Sequence, residues 1–270
     1  MVFSIKRAFR KDKVLLHFGD FLIPEISESY RRVLKALNID FVEFDKPLIC
    51  GTLALDSGYE KDFIKLARKN LQLLKDSGIT KLLVVSPEDF KTFISDYKEL
   101  IPDFDISVEF VLFPILDKLR KRGIIYSEWS DPSVTYHDPS YLGRVCGVYE
   151  PPREILRIIG LEVSELRHNR ELALSSGSVG GLKENFPVLA SEIAKILLSE
   201  VKSLGVSILV TVGFNNYSHL REVSLENSFG VRVVEISELL TAALKIQVKS
   251  FELENHDPVS RIISGVEESS

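Results

Sequence analysis

A chain of 270 residues, 45% apolar and 27% charged, is long enough to bury a core and reads as a globular protein of one large or two ordinary domains. Its net charge of −5 argues against a general nucleic-acid binder, and no apolar run approaches the roughly 18–20 residues of a membrane span. Two cysteines, Cys50 and Cys146, exclude a disulfide framework and any all-cysteine zinc or iron–sulfur site within the chain. The basic start, Lys6, Arg7, Arg10, Lys11 and Lys13, lacks the apolar stretch of a signal peptide and reads as a solvated terminus. A cytoplasmic protein is expected, and scarce Gln, one Met and abundant Glu and Lys point to a thermophilic source.

Strand and helix patterns alternate along the chain. "VLLHF" reads as a strand ending near His17, followed by a helix in which Ile26, Tyr30, Val33, Leu34 and Leu37 share one face. "IDFVEF" reads as a second strand. A long helix with a Phe63, Ala67, Leu71, Leu74 stripe then stops at Gly78. "KLLVVS" is a near-continuous apolar run of the buried parallel-sheet kind, followed by a short helix and the strand "ISVEFVL". After a junction around "KRGIIYSEWSDPS" the series resumes. "VTYHD" is a strand, "PPREILRIIG" a helix opened by proline and closed by Gly160, and "LEVSEL" a strand. A long helix beginning near Glu184 carries Leu189, Ile193, Ile196, Leu197 and Val201 and ends before Gly205; the strands "SILVTVG" and "VRVVEI" follow.

The chain is thus written twice. Gly78 falls on Gly205, Ser86 on Gly213, Asp89 on Asn216 and Phe93 on Leu220, all at an offset of 127. "ICG" ending at Gly51 falls on "SSG" ending at Gly177, and His17 to Asp20 falls on His137 to Ser140. Val108-Glu109-Phe110 falls on Val234-Glu235-Ile236, and four blocks in one order at nearly constant spacing imply a tandem duplication. Alternating strands and helices imply right-handed crossovers and parallel sheets. The expected fold is α/β: two tandem Rossmann-like domains, 1–126 and 127–250, with a C-terminal tail over 251–270.

The repeated blocks carry a resemblance. "TYHDPSYLGR", "GVYEPPREILRIIG", "SSGSVGG" and "LVTVGFNNYSHL" resemble the second half of the CCG cysteine-rich domain family; "CGTLALDSGYEKDFIKLARKN" and "VVSPEDFKTF" resemble the first. That family includes the B subunits of heterodisulfide reductases and the iron–sulfur subunits of anaerobic glycerol-3-phosphate dehydrogenase and of lactate and glycolate oxidases. Each half of such proteins offers five cysteines to iron–sulfur clusters. The resemblance places Asp20, Ile49, Cys50, Ser86 and Asp89 at those positions in the first half, and Ser140, Ser175, Ser176, Gly213 and Asn216 in the second. One cysteine in ten remains. Hydroxyls are far weaker acids than thiols, and glycine and isoleucine offer no ligand, so no metal or other cofactor is expected.

What replaced the ligands suggests other uses. "SPED" has the form of a capping box, with Ser86 as N-cap, Pro87 in the first turn and Asp89 reaching back to the N-cap amide. "SSGSVGG" could cradle an anion through Ser175, Ser176, Gly177, Gly180 and Gly181, or could simply be a tight turn. His137 could donate a proton beside a pocket or hold a turn with Asp138 and Pro139. Ser140, Arg144, Arg153 and Asn216 could contact an anionic ligand, although Arg153 in a first helical turn could equally be exposed. Asp20, Glu88, Asp89 and Cys50 make a poor, mixed oxygen–sulfur metal set. Two functions follow as expectations. One is a non-redox scaffold or accessory subunit that associates with redox-complex subunits or with itself. The other is a small-molecule or anion-binding protein, sensor or enzyme, using the cleft between domains where strand ends meet.

Overall fold

In a computed structural model of the chain, residues 13–19, 22–123, 129 and 131–246 are described. Asp20, the tail over 251–270, residues 124–128 and 130 of the central junction and all of the basic start but Lys13 lie outside them. Within that range the chain folds as mixed α/β with two parallel sheets. The first sheet contains β1 (Val14–His17), β2 (Lys81–Val84) and β3 (Ser107–Phe110), in spatial order β1-β2-β3. The second contains β4 (Ser133–Tyr136), β5 (Glu162–Val163), β6 (Ile208–Thr211) and β7 (Arg232–Glu235), in order β5-β4-β6-β7.

The first sheet has a vestige of a fourth strand. Val42 bridges Leu15 in parallel, on the side of β1 where β5 flanks β4. Both halves therefore share one topology, as a duplication requires. The sequence-based expectation of full second strands is corrected: "IDFVEF" makes one bridge and "LEVSEL" two paired residues. Charged residues on these edge segments, Glu43 in one and Glu162 in the other, suit an edge that pairs only briefly.

Two helices not expected from the sequence close the halves. Leu112–Arg122 follows β3, and Ile236–Ala243 follows β7. Each packs on the opposite half: Leu112–Arg122 lies on helix Glu150–Ile158, and Ile236–Ala243 lies on helix Pro24–Ala36. Since the two partner helices are equivalents in the repeat, the halves meet through a pseudo-two-fold exchange of the same contact. Tyr30 donates to Glu235 Oε1 across it at 2.8 Å, with both side chains buried. One apolar cluster runs through both halves.

The long helices Glu60–Asp76 and Pro187–Ser203 bury matching positions at an offset of 127: Phe63 and Ala190, Ala67 and Ala194, Leu71 and Leu198, Leu74 and Val201. This corrects the stripe expected for the second helix, because Leu189 and Ile196 face outward, 52% and 60% exposed.

Candidate functional site

The strand ends of the two halves converge on a cleft. Phe18 and Gly19 follow β1, Ser86, Glu88 and Asp89 follow β2, and Thr52, Leu53 and Asp56 come from a short helix, Thr52–Asp56. The second half contributes Tyr141, the Ser178–Gly181 loop, Glu184, Phe214 and Asn215. Its volume is about 60 Å³, room for a few water-sized groups and far below the roughly 300–1,000 Å³ of drug-sized pockets. Tyr141 closes one side by donating its hydroxyl to Asp56 across the halves.

In the first half Ser86 and Asp89 are tied with His17, Thr52 and Glu88 into a buried hydrogen-bond chain. Ser86 caps the helix Pro87–Lys91 by accepting from the Asp89 amide at 3.2 Å. The reciprocal half of the expected capping box is replaced. The Asp89 carboxylate turns inward, where Oδ2 lies 2.7 Å from His17 Nε2 and Oδ1 accepts from Thr52 Oγ1 at 2.8 Å. The buried imidazole and hydroxyl offer the stronger bonds. Ser86 Oγ donates to Glu88 Oε2 at 3.0 Å, and burial pushes the Glu88 carboxyl up to about 7. Cys50 is buried, its carbonyl accepting from Tyr97, while Ile49 points outward, 56% exposed.

In the second half Ser176, Ser178 and Asn216 bond one another. Ser176 Oγ donates to Asn216 Oδ1 at 2.7 Å and lies 2.8 Å from Ser178 Oγ; Asn216 Nδ2 donates to the Val212 carbonyl at 3.2 Å. Ser175 Oγ accepts from the Gly177 amide at 3.1 Å, an ST-turn. Gly177 has φ +85, and a Cβ there would lie 2.5 Å from the Ala190 carbonyl, so close backbone packing requires this glycine. The "SSGSVGG" segment therefore splits: Ser178, Gly180 and Gly181 line the cleft, while Ser175, Ser176 and Gly177 serve the turn. Gly213 has φ +94, and the ring of Pro87 from the first half lies 2.7 Å from where its Cβ would stand.

The remaining candidates lie away from the cleft. His137 is buried with its nitrogens 3.0 Å from Thr211 Oγ1 and 3.2 Å from the Leu174 carbonyl. Burial pushes its imidazole down to about 4, so the ring is neutral at neutral pH, with its one N–H given to the Leu174 carbonyl and no imidazolium to act as an acid. Its partners are these two, not Asp138. Arg144 donates to Ser140 Oγ at 2.8 Å and to the Ala173 carbonyl. Arg153, open to reading as exposed, is fully buried: it forks onto both oxygens of Asp138 at 2.7 Å, reaches Glu165 at 2.8 Å and covers the Tyr136 ring at 5.0 Å. Nothing in its spacing from Asp138 announces this.

The donor set does not fit an iron–sulfur cluster. Of the ten positions only Cys50 is a thiol, Ser176 and Asn216 consume each other's capacity, and Pro87 fills the side-chain space at position 213. Among the described residues no trio of His, Cys, Asp and Glu converges to hold a metal ion. The cleft is also ill suited to an anion: its charged walls are Asp56, Glu88, Asp89 and Glu184, and no basic side chain lines it among the described residues. No helix among the described residues is long and apolar enough to cross a membrane.

Comparison with known proteins finds similarity to iron–sulfur oxidoreductase subunits. A family model described as a cysteine-rich domain, CCG, matches residues 17–88. The chain is 30% identical over 184 residues to the D subunit of the dihydromethanophenazine:CoB–CoM heterodisulfide reductase of Methanosarcina acetivorans, covering 66% of this chain and 45% of that protein. It is 27% identical over 242 residues to a probable membrane-anchored ferredoxin of Chromohalobacter salexigens, covering 86% and 36%. The chain thus spans about half or less of these relatives. An aspartate racemase from Picrophilus torridus overlaps 86% of this chain and 93% of its own at 12% identity, with a TM-score of 0.38 that carries no functional argument.

Proposed function

We propose that this chain, whose residues 17–88 match the CCG cysteine-rich domain model and which is similar to a heterodisulfide reductase subunit, is a degenerate member of that family acting as a cluster-free accessory subunit. It keeps the duplicated framework of an electron-transfer protein and docks on a redox partner without carrying electrons itself. The observation that supports this reading most directly is that the former ligand positions are rebuilt. Asp89 bonds His17 and Thr52, Ser176 bonds Asn216, and Pro87 packs against Gly213. Polar groups that satisfy one another in a buried setting stabilise a closed framework and leave no ligands over.

The outer face of helix Pro187–Ser203 supports the docking half of the reading. Val188, Leu189 and Ile196 are 76%, 52% and 60% exposed, with Phe186 beside them at 62%. Their equivalents in helix Glu60–Asp76 at the same offset are Lys61, Asp62 and Lys69, all exposed. A duplicated helix that has charge on one copy and bare apolar side chains on the other is asymmetric in the manner of a partner surface. The test is anaerobic purification of the native chain from its source, with iron and sulfide analysis, a visible spectrum and identification of co-purifying chains. A colourless protein recovered with an iron–sulfur oxidoreductase is expected. Stoichiometric iron with charge-transfer absorbance refutes the reading.

A further inference from the structure

The duplicated long helices differ in a second way, on the half without the apolar face. Helix Glu60–Asp76 turns Lys61, Lys65, Arg68 and Lys69 to solvent along one side, over about 12 Å of its length. Among the described residues none of these four has an ion-pair partner, although Lys75 further along the helix holds Asp103 and Asp105 at 3.6 Å. At the offset of 127, Lys65 and Arg68 fall on Glu192 and Lys195, which pair with each other at 2.8 Å. The first copy thus has two cations where the second has an ion pair.

Helix stability does not select this stripe. Lys61 stands in the first turn, where the helix dipole favours anions. Lys61, Lys65 and Lys69 follow at four-residue spacing, where like charges repel. Nor does the fold require it, since the second copy buries the matching positions of its helix without it. In a chain of net charge −5, an unpaired run of cations is a local reversal of sign. Its bounds select the kind of anion. Exposed acids stand at both ends, Glu60 and Asp62 before it and Asp76, Asp103 and Asp105 after it. A long polyanion or a flat anionic membrane would overrun the stripe and meet like charge. Tyr59 and Leu73, 63% and 45% exposed, add an apolar side chain towards each end, and such anchors beside charge are usual in protein interfaces. We propose that this face docks a short acidic stretch of a partner protein, its carboxylates on Lys61, Lys65, Arg68 and Lys69 and its apolar side chains on Tyr59 and Leu73. The surface lies on the other half from the apolar face of Pro187–Ser203 and stands whether or not that face has a partner.

Fluorescence anisotropy of a labelled random glutamate–tyrosine copolymer, titrated with the full chain, tests the assignment. Polyglutamate, a duplex DNA and phosphatidylserine-containing vesicles serve as rival probes. The expected result is saturable binding that weakens about tenfold or more from low to high salt and is tighter for the copolymer than for polyglutamate. Lys61→Glu/Lys65→Glu/Lys69→Glu should weaken it about tenfold or more, and the milder Lys65→Gln/Lys69→Gln several-fold. Lys46→Glu/Lys121→Glu/Lys202→Glu changes the net charge equally at exposed sites on other elements, and should leave affinity within about twofold of the parent. Tyr59→Ser should remove the copolymer's advantage over polyglutamate. Absence of saturable binding, a copolymer bound no better than polyglutamate, equal losses in the two lysine triples, or tighter binding of DNA or vesicles would each overturn the assignment.

Discussion

Single buried side chains at the strand ends carry the clearest consequences. Glu88 has a folded-state carboxyl raised by burial to about 7, above its ordinary 4.5. Between those values the folded state binds more protons than the unfolded one, so Glu88 makes stability fall as pH rises, by up to ~3 kcal/mol once both limits are passed. Glu238, also raised to about 7 by burial, acts in the same sense. His137, lowered to about 4, acts oppositely: its stability contribution grows as pH rises from about 4 to 6.5. Glu88→Gln should therefore gain stability relative to the parent at pH 8 but little at pH 5, as chemical denaturation at the two pH values would measure. A gain that is the same at both would show that Glu88 does not titrate in this window. Gly213 gives a second expectation. A cysteine placed there must tolerate φ +94 and put a Cβ 2.7 Å from the Pro87 ring. Gly213→Cys should cost about 2–4 kcal/mol, with part recovered in Gly213→Cys/Pro87→Ala as the ring is removed. A neutral Gly213→Cys in urea unfolding would mean that the position is still open to a ligand side chain.

Among the elements, helix Glu150–Ile158 depends on one buried ion network. Arg153 joins it to the turn after β4 through Asp138 and to the segment after β5 through Glu165, and the Arg170 amide also donates to Asp138 at 2.8 Å. Arg153→Met would leave Asp138 buried without its cation and should cost about 3–5 kcal/mol. Arg153→Lys should recover little, since an ammonium cannot fork across two carboxylates. Equal stability of parent and Lys variant in thermal melts would argue that the fork is unimportant. Elements are legible in the sequence wherever periodicity is strong. The central strands, the helix face from Ile26 to Leu37 and the shared order of the two sheets follow from apolar spacing and the repeat. The closing helices Leu112–Arg122 and Ile236–Ala243 escape such a reading because each starts within two residues of an apolar strand, so one run of apolar letters contains two periods. The site is less legible than the fold. Glu88 and Asp89 stand out in the sequence as carboxylates, but Thr52, Asp56, Tyr141 and Asn215 reach the cleft only through the meeting of the halves, which no local pattern encodes.

At the scale of the whole molecule, duplication supplies an internal control. The exchange of closing helices brings the same pair of helices together in each half, with the buried Tyr30–Glu235 bond at one contact and the exposed bidentate Arg120–Glu154 pair at 2.7 Å at the other. The outer surfaces are not alike. Lys61, Asp62 and Lys69 keep the first long helix solvated, whereas Val188, Leu189 and Ile196 leave the second bare. If that face stabilised the fold, replacing it would cost burial energy; these side chains are more than half exposed, so it should not. The triple substitution Val188→Lys, Leu189→Asp and Ile196→Lys copies the first helix onto the second. Stability should stay within about 1 kcal/mol of the parent, because surface changes away from caps and cores shift it by a few tenths each. Solubility should rise and recovery of a co-purifying redox protein should fall, since the apolar patch is what a partner would cover. A large drop in melting temperature would show instead that this helix face packs within the chain, and undiminished co-purification would move the docking surface elsewhere.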